Sequence, residues 1–223
     1  SYPEAKKHLD YEKLDLQRFK SGSHIFLNGK MKTIGDPLRD FSVLIPTLLS
    51  GIGTLSDKLK VYRLNRSLAN KSIEDIFAEK EISTLHYLQN LKFSQRMITD
   101  FFTPFFSGIY LESELKTSSR MFEFIFKMFG SGVATLPKGG IEEIPKQLLA
   151  QLSKTEIIFN TPVKDVSGSV ITLMSGEQLV TDYTILATEA SSLIANLQEQ
   201  ELDWKKCETL YFISKSRVFS DPY

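Results

Sequence analysis

Three histidines, one cysteine and two close pairs of glutamates are the residues that could do chemistry of their own. His8, His24 and His86 stand far apart, and none lies three or four residues from another His or Cys. Such a spacing is what sets two ligands on one helix face or loop, so no metal centre is expected. Glu112 with Glu114, and Glu142 with Glu143, are carboxylate pairs of the kind that cleave glycosidic bonds when held across a cleft. Neither belongs to a motif that would hold it so. Glu142-Glu143 reads instead as the solvated start of a helix, where the dipole favours negative charge. Cys207 follows Lys205-Lys206, cations that lower a thiol pKa; a small packed residue beside a strand is the simpler reading. The Gly-x-Ser-x-Gly elbow and the Walker loop are both absent. Catalytic residues stay unassigned at this level.

The aromatic residues are the stronger signal. Phe101-Phe102-Thr103-Pro104-Phe105-Phe106 leads to Tyr110 and Leu111, and a second run spans Met121 to Phe129. As a helix, that second run has only Glu123 and Lys127 as polar residues, four apart and able to pair on one narrow wet stripe. A helix apolar almost all round is buried on several faces or lines an apolar cavity. Phe101, Phe102, Phe105, Phe106, Tyr110, Phe122 and Phe126 are candidates for an apolar substrate cavity, though most should be plain core.

Composition narrows the setting. The 223 residues carry 27 basic and 27 acidic side chains, and zero net charge argues against nucleic-acid binding by bulk electrostatics. A single cysteine rules out an intramolecular disulfide and suggests no oxidising compartment. No apolar run reaches the roughly 18 residues of a membrane helix. With no secretory signal at Ser1, a cytoplasmic protein is expected, and the missing Met suggests a trimmed chain.

The elements that must position these residues change in texture along the chain. The opening is polar and helical in character, from Pro3 through Lys6 and Lys7, with Leu9 and Leu14 as apolar anchors. His24-Ile25-Phe26-Leu27, Asn28-Gly29 and Met31-Lys32-Thr33-Ile34 read as a β-hairpin, because Asn-Gly supplies the positive φ a two-residue turn requires. Helical sequence follows from about Leu38 to about Leu91, interrupted at Gly51 to Thr54. Ser72 and Asp75 have capping-box spacing but the shorter acid, a weak start. Ser83 and Ser94 are N-cap candidates for helices ending near Asn90 and Phe101. Beyond Gly139-Gly140, Ile141, Ile144, Leu148, Leu149 and Leu152 mark an amphipathic helix. Strands are expected at Glu156–Phe159, Val163–Ser167, Ser169–Met174, Gln178–Thr181, Tyr183–Leu186 and Glu208–Ser214, with a short helix at Ala190–Leu197.

Several blocks then stand together in order. Leu136-Pro137-Lys138-Gly139-Gly140-Ile141, Ile144-Pro145, Asn160-Thr161-Pro162-Val163, Gly176-Glu177 and Ile185-Leu186-Ala187-Thr188 resemble the flavin-containing amine oxidase superfamily. That superfamily includes amine oxidases, protoporphyrinogen oxidases and phytoene desaturases. The upstream Phe101–Gly108 and Ser118–Phe122 blocks are similar to its phytoene-desaturase-like branch. The resemblance implies an α+β protein. Residues 1–135 would be a mostly helical substrate-binding domain. Its mixed sheet would come from the N-terminal hairpin and a last strand within 191–223. Residues 136–190 would be a partial, Rossmann-like segment of the FAD-binding domain.

The same resemblance implies a site. Val163 resembles the position whose backbone meets the adenine, Ala187 and Thr188 the strand end near the cofactor, and Gly139 and Gly140 the loop re-entering the FAD domain. The family's N-terminal Gly-x-Gly-x-x-Gly turn and its C-terminal FAD block have no counterpart in these residues. The chain is thus expected to be the middle of an FAD-dependent oxidoreductase acting on an apolar or amine substrate, inactive and without FAD on its own. A non-catalytic module for a hydrophobic ligand or a protein is the alternative. A sheet without its central strands would leave unpaired edges, making self-association a further expectation.

Overall fold

The computed structural model describes residues 3–20, 22–35, 47, 49–188, 190–194 and 204–216. The expected helical start at 38–46 and the end of the expected 190–197 helix lie outside them. The chain forms two compact units, one of Ser1–Gln151 with Lys205–Tyr223 and one of Leu152–Trp204.

The first unit opens with α1 (Pro3–His8) and β1 (Leu16–Arg18), followed by the hairpin of β2 (Gly22–Leu27) and β3 (Lys30–Gly35). The hairpin closes as its sequence requires: Leu27 pairs with Lys30 across Asn28-Gly29, whose φ angles are 53° and 73°. Both residues of the turn are left-handed, and Asn and Gly are the types that tolerate this best.

A helical body follows, and its starts are written in short polar side chains. Thr54 caps α2 (Leu55–Ala69) and Ser72 caps α3 (Ile73–Ala78), each in a full capping box with an aspartate at the third position. The Ser72-Asp75 start is therefore well made, because Asp75 reaches back to the Ser72 amide despite its shorter side chain. Ser83 caps α4 (Thr84–Asn90) and Ser94 caps α5 (Gln95–Met97), as their sequence predicts. A π-turn at Ile98–Phe102 leads into α6 (Thr103–Tyr110). After a loop comes α7 (Ser119–Ser131). Ile52, Leu64, Leu68, Leu88, Phe93, Met97, Ile98, Phe102, Phe106, Leu115 and Phe122 form one contiguous core between these helices.

β4 (Thr135–Pro137) returns to pair antiparallel with β1, and α8 (Glu143–Leu149) lies beyond it. Gln147 ties α8 to the N-terminal segment, accepting from the Asp10 amide at 2.8 Å and donating to the Asp10 carbonyl at 2.9 Å.

The second unit is an antiparallel meander of β5 (Val163–Ser167), β6 (Val170–Leu173) and β7 (Gln178–Val180). The α+β class holds, but three expected strands do not form. Glu156–Phe159, Tyr183–Leu186 and Glu208–Ser214 carry strand-like residues yet lie outside any ladder. The sheets of the described residues are all antiparallel, so no mixed sheet joins the hairpin to a last strand. The reason is pairing rather than propensity: apolar alternation makes a segment fit a ladder, but a strand exists only where another edge receives it.

Candidate functional site

The π-turn decides how the aromatic run is divided. Its five-residue hydrogen-bond ring, closed by the Thr103 N–H on the Ile98 carbonyl, widens the helix locally. Phe102 then faces inward and is fully buried, while its neighbour Phe101 is only half-buried. Phe102, Phe106 and Phe122 close on one another with centroids 4.8–6.3 Å apart. They are core. Phe126 leans on Phe122 at 5.5 Å from the core margin, and Tyr110 covers Phe106 at 5.3 Å.

Phe101 and Phe105 go elsewhere. One turn apart, their rings stack with centroids 5.8 Å apart and 13° between planes. With Pro104 and Asp100 they form one wall of a cavity of about 360 Å³, whose other wall is Ser23, His24, Ile25 and Phe26 of β2. Asp100 is positioned by the Thr99 hydroxyl at 3.1 Å and by Arg96 Nε at 3.5 Å. His24 is held across the hairpin, with Nδ1 3.0 Å from Thr33 Oγ1. The cavity thus combines a flat apolar face with one carboxylate and one imidazole among its lining residues. Such a site can seat and orient an apolar group.

The hairpin's share of this cavity is not visible in sequence. Phe26 is 70% exposed and sits in a strand that alternates weakly, so it reads as turn-flanking rather than as wall. An aspartate immediately before a run of phenylalanines, Asp100, is the available signal.

Two buried carboxylates lie away from the cavity. Glu123 does not pair with Lys127 as its spacing suggests. It is 3% exposed, accepts from the Tyr87 hydroxyl at 2.5 Å and from Lys71 Nζ at 2.5 Å, and so joins α7 to α4 and to the end of α2. Burial and the neighbouring Glu123 both push the Tyr87 phenol well above its ordinary pKa. Burial alone would lower the Lys71 ammonium, but its bonds to Glu123 and Glu79 outweigh that and raise it. Lys127 instead donates to the Leu68 and Ala69 carbonyls at 2.8 and 3.0 Å, filling the C-terminus of α2. The second carboxylate, Asp57, is fully buried between two helix starts.

The remaining carboxylates are structural or solvated. Glu112 accepts from the amides of Glu114 and Thr117 and folds the loop before α7; these bonds overcome its burial and lower its pKa. Glu142 and Glu143 pair with Lys146 on the surface. Cys207 is exposed. Among the described residues no group of three or more His, Cys, Asp or Glu side chains could hold a metal ion, and no helix is long and apolar enough to cross a membrane.

The residues that the resemblance assigns to FAD fall in two units. Gly139 and Gly140 make the turn between β4 and α8 in the first. A Cβ on Gly139 would come within 2.8 Å of Glu143 Cγ, and Gly140 holds φ +98° over open space. Both glycines serve the turn. In the second unit Val163 opens β5 opposite Leu173, while Ala187 and Thr188 are exposed beyond the last ladder. A dinucleotide site needs a strand, a glycine turn and a helix N-terminus in succession. In the first unit β4, the Gly139-Gly140 turn and α8 follow in that order, while Val163, Ala187 and Thr188 belong to the second unit.

The first unit is a helical body carrying an apolar cavity, and the second is a small antiparallel sheet. The model of the flavin-containing amine oxidoreductase family matches residues 2–211, and the chain belongs to that family. No curated protein matches it.

Proposed function

We propose that this chain supplies the substrate-binding body of an FAD-dependent oxidoreductase that oxidises an apolar or amine substrate by hydride transfer to flavin. The observation that carries the reading is family membership across nearly the whole chain. The flavin supplies the redox chemistry when bound, and the protein's part is to orient the substrate and exclude water. Phe101, Phe105 and Phe26 offer the apolar wall for that task, and Asp100 offers a carboxylate at its edge. On this reading the 223-residue chain alone neither holds FAD tightly nor turns over, since its sequence contains no Gly-x-Gly-x-x-Gly run.

The test is a flavin-fluorescence titration of this chain beside a version extended at both ends. Binding by the extended form only is the expected result. Binding by neither overturns the flavoenzyme reading and favours a cofactor-free apolar module. Tight binding by the 223-residue chain overturns the dependence on added sequence.

A further inference from the structure

We propose that Lys32 and Arg96 form a carboxylate site beside the cavity, which makes an apolar carboxylic acid the ligand class that the cavity takes. In the hairpin Lys32 stands directly opposite Ile25, and directly opposed residues share one face of an antiparallel ladder. That face carries Ile25, Leu27 and Ile34 against the helical core. Lys32 is therefore a half-buried cation on the hairpin's inward face, and its ammonium has no ion pair or hydrogen bond among the described residues. An inward lysine can guard a hairpin edge against pairing, but that role asks for no second cation beside it.

Gly51 shows that a second cation is there. A Cβ on Gly51 would lie 3.2 Å from Lys32 Nζ and 3.8 Å from Arg96 Nη2, so both side chains converge on one point that glycine leaves open. Like charges so placed repel unless an anion joins them. Arg96 Nε lies 3.5 Å from Asp100 Oδ2, which offsets one of the two charges. The single positive charge left over matches a carboxylate better than a dianionic phosphate.

The pair adjoins the cavity on both sides. Lys32 is one strand, about 4.8 Å, from Ile25. Arg96 is one helical turn, about 6 Å, before Asp100. Ile25 and Asp100 both line the cavity. One ligand can thus lay an apolar body on Phe101 and Phe105 and its carboxylate between Lys32 and Arg96, whereas an amine would meet two cations. This step rests on the cavity being the ligand site.

Fluorescence titration of the 223-residue chain with naphthoate, naphthylmethanol and naphthylmethylamine, which share one apolar body, tests the inference without flavin. The acid should bind about tenfold tighter than the alcohol, and the amine weakest. Lys32→Met, which keeps the apolar stem, should bring the acid-to-alcohol ratio close to one. Arg96→Met should do the same and raise the amine above the acid, because Asp100 then loses its cation. Phe101→Ala should weaken all three. Alcohol binding without preference for the acid, or a preference that survives Lys32→Met, overturns the carboxylate site and leaves the cavity standing as a ligand site. Binding of none of the three overturns both, while the flavin titration judges the oxidoreductase reading separately.

Discussion

The Asp57 carboxylate receives the Ser94 backbone N–H at 2.9 Å and the Ser94 hydroxyl at 2.6 Å, joining the first turn of α2 to the N-cap of α5. The same carboxylate accepts from the Thr54 amide at 2.8 Å, so one buried anion serves two helix starts. Burial opposes its ionisation; the bonds from Ser94 and Thr54 prevail and hold its pKa well below the ordinary value.

Asp57 should therefore stabilise the fold in a pH-dependent way. With its folded-state pKa depressed, its contribution is complete above the unfolded carboxylate pKa and is lost as pH falls through the folded one. Asp57→Asn should lower neutral-pH stability by about 2 kcal/mol and flatten the acid limb of the stability curve. Urea denaturation between about pH 3 and 7 reads both. An acid limb as steep as the parent's would show that Asp57 is not its source.

Glu123 should behave as one member of a unit. Its removal leaves the half-buried Lys71 ammonium with Glu79 alone and strands the Tyr87 hydroxyl, so Glu123→Ala should cost about 1–3 kcal/mol. Combining it with Lys71→Met should cost less than the two single changes added together. Additive losses in the double-mutant cycle would refute a shared network.

Adjacent phenylalanines should respond in opposite ways. Phe102→Ala empties a fully buried position and should cost about 3–5 kcal/mol. Phe101→Ala should cost far less and instead weaken uptake of an apolar fluorescent probe by the cavity. Phe26→Ala, at a mostly exposed position, should leave stability within about 0.5 kcal/mol while also weakening uptake. Unchanged probe binding in both cavity variants would detach the cavity from ligand binding.

Gly53 should resist substitution for two reasons at once. Its φ is +61°, and a Cβ would lie 2.7 Å from Met97 Sδ and 3.3 Å from Asp57 Cβ. Gly53→Ala should lower stability by about 1–3 kcal/mol. Adding Met97→Ala should not recover the loss, because the backbone strain remains and the core loses a side chain. Thermal unfolding of the three variants decides it.

What the sequence discloses divides along a physical line. Asn28-Gly29, Ser83 and Ser94 act on their own neighbours, so the hairpin and two helix starts can be read locally, and Val163–Ser167 is a strand with the bounds its residues predict. Ladder membership of Glu156–Phe159, Tyr183–Leu186 and Glu208–Ser214 depends on distant edges and cannot be read that way. The cavity is hidden for the same reason: Phe101 and Phe102 look alike in sequence, and the π-turn that contains both, together with the hairpin, separates their fates. Glu123 and Lys127 have ideal spacing for a pair, but each finds a stronger partner on another helix.

The ladder between β1 and β4 has a consequence for the order in which the chain assembles. Leu16 to Arg18 must meet residues 135–137 across the entire helical body, with only three residue pairs in register. Closing a loop of about 120 residues costs on the order of 4 kcal/mol of chain entropy, more than so short a ladder recovers. The helices must condense first and bring the two strands together. The N-terminal strand is accordingly a late-docking clasp. Its amides should exchange with solvent through local opening, long before those of the phenylalanine core.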